Sequence, residues 1–84
     1  MPVVAIVAGV LIVFYYNDHD PAHFHALADD DEMRVRIADL AVIGGGLPPA
    51  KRRAVLAWAA ENQERLALAW VRCREGQAPG RIGG

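Results

Sequence analysis

All three histidines of this 84-residue chain fall in one short segment, Asp18-His19-Asp20-Pro21-Ala22-His23-Phe24-His25. Two aspartates flank the first, and Pro21 stiffens the turn between the first and second. If a strand begins at His23, its two-residue period puts His23 and His25 on one face and turns Phe24 to the other. Two imidazoles then stand side by side, close to the turn that carries His19, Asp18 and Asp20. Three readings compete for this cluster. Imidazoles with carboxylates form the ligand set of a divalent metal such as zinc, manganese or iron, with His19, His23 and His25 as candidate ligands. The same groups suit metal-free acid/base chemistry, with Asp18 orienting a histidine. The third reading is structural: the rings and Asp18 satisfy the backbone of a loop.

Basic residues supply candidate binding positions. Arg34 and Arg36 alternate with Met33, Val35 and Ile37, so they share the polar face of one strand. If that face also bears His23 and His25, imidazoles and guanidiniums together would suit a phosphate or the backbone of RNA or DNA. Lys51, Arg52 and Arg53 cluster at the start of a helix, the end where a cation meets the helix dipole unfavourably. The chain contains neither serine nor threonine, which excludes a Ser/His/Asp triad and leaves tyrosine as the only hydroxyl side chain. Tyr15 and Tyr16, just before the histidine turn, could donate a proton or simply pack in the core. No phosphate-binding glycine loop, helix-turn-helix signature or zinc-finger spacing is present, and Gly44-Gly45-Gly46 reads as a flexible connector that ends the sheet.

The elements that must position these residues follow from hydrophobic period. Val3–Val7 and Val10–Tyr16 read as two strands around Ala8-Gly9, apolar on both faces and therefore central in the sheet, with something packed on each side. Phe24–Ala28 and Met33–Ile37 form a second hairpin around Asp29-Asp30-Asp31, and Ala41-Val42-Ile43 can add a short strand. Leu47-Pro48-Pro49 opens the helical half. Val55, Trp58, Leu66, Trp70 and Cys73 recur at helical spacing, interrupted only by Asn62, and predict one long helix over about Ala50–Glu75. A kink or break near Glu61-Asn62-Gln63 is the alternative. The expected fold class is α+β, an antiparallel meander of about four strands followed by one long C-terminal helix. Residues 1–76 form one domain and 77–84 a flexible tail rich in glycine. Phe24, Met33, Val35, Ile37, Trp58 and Leu66 are expected in the core.

The uncharged run Val3–Tyr16 is too short for a membrane helix and lacks the basic flank and cleavage site of an export signal. Cys73 has no partner for a disulfide, consistent with a reducing, cytoplasmic setting and a buried structural role. The net charge of −1 conceals a division. Residues 1–47 hold seven acids and two bases, net −5, and residues 48–84 hold seven bases and three acids, net +4. Such asymmetry fits a charged partner, a nucleic-acid face or attraction between the halves. A thin core with Trp58 and Trp70 about three turns apart on the helix is expected to leave apolar surface, either for a partner or for a second copy in a homo-oligomer.

Met1-Pro2, Gly9, the Asp18–His25 segment, Gly46-Leu47-Pro48-Pro49, Trp58 and Trp70, in this order, resemble a small prokaryotic family, "domain of unknown function 4160". The family usually has two prolines where this chain has Pro21-Ala22, and often a basic residue near Ala5 or Val13. The resemblance implies a toxin-like component of a type II toxin-antitoxin pair, bound by a small cognate antitoxin protein. Its active centre would be His19, His23, His25 and Asp18, supported by Arg34 and Arg36. The competing expectation is a non-enzymatic interaction module in which the histidine segment is structural.

Overall fold

Short turns with a left-handed backbone set the register of the sheet. Ala8 (φ 50°) and Gly9 (φ 78°) join β1 (Val3–Val7) to β2 (Val10–Val13), and Asp29 (φ 52°) with Asp30 joins β3 (His23–Ala28) to β4 (Asp31–Arg36). Positive φ at such positions matches the twist of the flanking strands. With β5 (Val42–Gly45), these strands make a five-stranded antiparallel sheet in sequential order. Two helices follow, α1 (Pro49–Glu61) and α2 (Gln63–Arg74). The computed structural model describes residues 2–84. Met1, which belongs to the Met1-Pro2 pair and opens the 1–76 unit, lies outside the described residues.

The α+β class holds, and the element counts need correction. Among the described residues there are five strands where about four were expected, and two helices where one was expected. The helix breaks at Asn62 because its amide competes for backbone acceptors. Asn62 Nδ2 donates to the Trp58 carbonyl at 2.9 Å, while the Asn62 N–H bonds Ala59 O at 3.1 Å, one residue short of the α-helical partner. Gln63 then ties the start of α2 to the β4–β5 connection, donating to Ile37 O at 2.6 Å and to Ala38 O at 3.0 Å.

The glycine run is likewise no mere connector: Gly44 and Gly45 belong to β5. The Arg34 guanidinium lies where a Gly44 side chain would project, and a Cβ on Gly45 (φ 64°) would strike the Glu32 carbonyl. The hairpin of β1 and β2 sits at one side of the sheet rather than its centre, with β1 an edge strand. The chain end lines that edge: Ile82 N–H donates to Val4 O at 2.7 Å, and Trp58 Nε1 donates to Gly83 O at 2.7 Å. Such cover blunts the row of unpaired groups that an edge strand presents.

One face of the sheet carries the core. Ile12, Phe14, Phe24, Ala26, Met33 and Val35 are fully buried there, with Val55, Ala59 and Leu66 from the helices. The Phe24 and Trp58 rings meet edge to face, centroids 6.2 Å apart, which positions α1 across the sheet. Ile37, Trp58, Trp70 and Cys73 are buried as expected, and burial raises the Cys73 thiol pKa. No helix among the described residues is long and apolar enough to cross a membrane.

Candidate functional site

The opposite face of β3 begins with two histidines. Antiparallel register places His23 across from Arg36 and His25 across from Arg34, so all four share this face. The two imidazole centroids are 5.0 Å apart. Both residues are more than nine-tenths buried, at 8% and 7% exposure, although they stand on the face opposite the apolar core. Their shelter comes from the nine-residue connection between β2 and β3, which folds over the strand start and includes a cis Asp20–Pro21 peptide. Tyr15 meets His25 edge-on at 4.4 Å, and Trp70 of α2 leans on His23 at 5.4 Å.

Each ring nitrogen has a definite role. His23 Nδ1 lies 2.7 Å from the Pro21 carbonyl, which can only accept, so Nδ1 carries a proton and donates. Nε2 of the same ring faces Asp18 Oδ2 at 3.4 Å. His25 is held from both sides, with Nε2 2.8 Å from Asp18 Oδ2 and Nδ1 2.9 Å from Glu32 Oε2. Both histidines therefore aim Nε2 at the same carboxylate oxygen, while each Nδ1 is engaged by an outer acceptor. Among the described residues, every buried side-chain nitrogen or oxygen has a hydrogen-bond partner.

The expected residues divide into those brought together and those kept apart. Asp18, His23 and His25 can each offer one ligand atom, all within 4.8 Å of one another. His19 is exposed and lies outside this trio, on the rim of a shallow concavity lined by Tyr16, Asn17, Asp18 and Arg74. Arg36 is committed to Asp39 by two hydrogen bonds, 2.9 Å from Nε and 2.7 Å from Nη2. Hydrogen bonds from Arg36 and then from the Ala41 N–H hold the Asp39 carboxyl at about 2, below its ordinary range. Arg34 lies against Gly44. Lys51, 3.8 Å from Asp29, stands at the other end of β3, with exposed Arg52 and Arg53 on the helix beside it. The six residues of β3, a length of about 17 Å, thus lie between His23 and the Asp29 end at which this cluster stands. Tyr16 is exposed rather than a core residue.

Sequence reasoning passed over Glu32, Trp70 and Arg74. Glu32 was legible: once Asp29-Asp30 is taken as the turn, His25 pairs with Arg34, and Glu32 becomes its diagonal neighbour on the same face. Arg74 had no local signal. It reaches the site from the last turn of α2, donating to the Asp18 carbonyl at 3.3 Å, 4.0 Å from the Asp20 carboxylate and 5.7 Å over the Trp70 ring.

Chemically, the arrangement can pass a proton between imidazole and carboxylate, or hold a cation between them. Compared with known proteins, the chain matches no curated protein and no solved structure. A family model matches residues 9–71, which span the histidine face, the Trp58 contact and Trp70, and on that match the chain belongs to the family described as Domain of unknown function (DUF4160).

Proposed function

We propose that this chain is the toxin-like component of a prokaryotic, cytoplasmic type II toxin-antitoxin pair, acting through the Asp18–His23–His25 centre on a nucleic-acid or otherwise phosphate-containing target. The observation that supports it is the convergence of two sheltered imidazoles on one carboxylate oxygen, beside a concavity that solvent reaches. Asp18 orients the rings, His23 and His25 are the acid/base pair, and Arg74 with His19 at the rim meets the phosphate charge. The apolar residues Leu68 and Val71, each about half exposed on α2, offer the cognate antitoxin a docking stripe.

Expression of the chain alone is expected to slow bacterial growth. His23→Ala and His25→Ala are each expected to relieve that arrest while circular dichroism remains that of the folded protein. Arrest that survives both substitutions in folded protein removes the active centre. A second reading, a non-enzymatic interaction module braced by the histidine segment, is favoured by the hydrogen bonds that engage three of the four ring nitrogens of His23 and His25. It predicts no arrest by the chain alone and unchanged partner capture by folded His23→Ala protein.

A further inference from the structure

We infer that Asp18 Oδ2, His23 Nε2 and His25 Nε2 form the binding site of a first-row divalent transition ion, zinc being the ion that best suits the ligand set. The inference names the cofactor of the centre proposed above and rests on that reading only for its role in catalysis.

Three independent features support it. The first is ligand geometry. In a tetrahedral zinc site with bonds of about 2.1 Å, neighbouring ligand atoms are about 3.4 Å apart. His23 Nε2 and Asp18 Oδ2 already have that separation, 3.4 Å. His25 Nε2, at 2.8 Å from the same oxygen, is about 0.6 Å inside that spacing, and all three ligand atoms lie within 4.8 Å of one another.

The second feature is the outer shell. A metal-binding histidine characteristically donates its second ring N–H to a carbonyl or carboxylate, which fixes the tautomer and aims the other nitrogen. His23 has the Pro21 carbonyl in that role at 2.7 Å, and His25 has the Glu32 carboxylate at 2.9 Å. Both rings thus carry the support a ligand needs, on nitrogens that point away from the shared oxygen.

The third is charge. Asp18 and Glu32 bring two carboxylates to this small cluster, and among the described residues neither has a guanidinium or ammonium within 4.0 Å. Three arginines are nearby and all are engaged elsewhere: Arg36 on Asp39, Arg34 against Gly44, and Arg74 on the Asp18 backbone and the Asp20 carboxylate. The His25 ring alone lies between the two carboxylates, 2.8 Å from Asp18 and 2.9 Å from Glu32. A divalent ion bound at the Nε2 atoms would bring positive charge directly against Asp18. Three protein ligands leave a coordination position open, as in catalytic rather than structural zinc sites. That position would also ease the repulsion between Asp18 and a phosphate target.

The test uses the purified full chain, stripped with a chelator and then equilibrated separately with Zn2+, Mn2+ and anaerobic Fe2+. The expected result is about one tightly held Zn2+ per chain after desalting, with a raised melting temperature. Folded Asp18→Asn, His23→Gln and His25→Gln variants are each expected to lose that ion. Wild-type protein holding less than about 0.1 of any of the three ions overturns the inference, and so does retention of the ion by the folded variants. Should the variants fail to fold, the Co2+-loaded wild-type chain decides. X-ray absorption showing two imidazole ligands upholds the site, and none overturns it. Growth plays no part in these measurements. A chain that binds no ion yet arrests growth through His23 and His25 loses only the metal, and one that binds the ion without arresting growth loses only the toxin reading.

Discussion

Phe24 and His25 are neighbours in β3, yet they belong to two differently organised halves of the molecule. On the Phe24 side, Trp58 and other apolar groups surround a ring that needs nothing more specific than contact. On the His25 side, burial is nearly as deep, but each polar atom depends on one named partner: Asp18 at one nitrogen and Glu32 at the other. The apolar face gains free energy in proportion to area and spreads it over many residues. The histidine face gains little net from each hydrogen bond, and loses the full desolvation cost of whatever is left unpaired. Stability is therefore expected to reside on one face and chemistry on the other.

The sharpest way to break this comparison is through the core. Trp58→Ala is expected to destabilise the chain by about 3–5 kcal/mol in urea titration. A cost below about 1 kcal/mol would mean that α1 does not depend on the Phe24–Trp58 contact. On the other face, His25→Ala is expected to cost about 1–3 kcal/mol, because it strips Asp18 and Glu32 of their shared donor. Combining substitutions sharpens the contrast. His25→Ala with Asp18→Ala should be non-additive by at least about 0.5 kcal/mol, whereas His25→Ala with Trp58→Ala, on opposite faces, should add to within about 0.5 kcal/mol. Additivity within the histidine face would mean that its residues do not act as a unit.

Smaller effects probe the joints. Asn62→Ala removes the amide bond to Trp58 O and is expected to cost about 1 kcal/mol by the same titration. The smallest effect concerns the exposed Arg36–Asp39 pair. Its carboxyl is held at about 2 in the folded chain against an ordinary 3.8, so its contribution is complete above the ordinary value and disappears as pH falls through about 2. Asp39→Asn should therefore shift the urea midpoint slightly at pH ~6, and the difference from wild type should shrink at pH ~2. A difference that persists undiminished at the low pH would mean that the charge on Asp39 is not its source.

Much of this division was legible along the chain. Alternation in Met33–Ile37 separates core from polar positions, and the period of two alone puts His23 and His25 together with Phe24 opposite. Helical spacing identified Val55, Trp58, Leu66, Trp70 and Cys73 as inward-facing, and all five are buried. Elsewhere local pattern misled. Gly44 and Gly45 look like a flexible stop, but they are strand residues whose missing side chains make room for Arg34 and the Glu32 carbonyl. The apolar run through Tyr16 looked like continuous strand, but β2 ends at Val13 and the next residues fold back over β3.

The sequence by itself determined which residues alternate, which recur at helical spacing, and that every histidine lies in one stiffened segment, because these depend on neighbours a few positions away. Only the tertiary structure decided that His19 stands apart while Glu32 joins, that Arg36 is committed to Asp39, and that Arg74 arrives from the far end of the chain. Those outcomes depend on strand register and on where α2 lands against the sheet. Both are set by the total packing of the core, which no local spacing encodes.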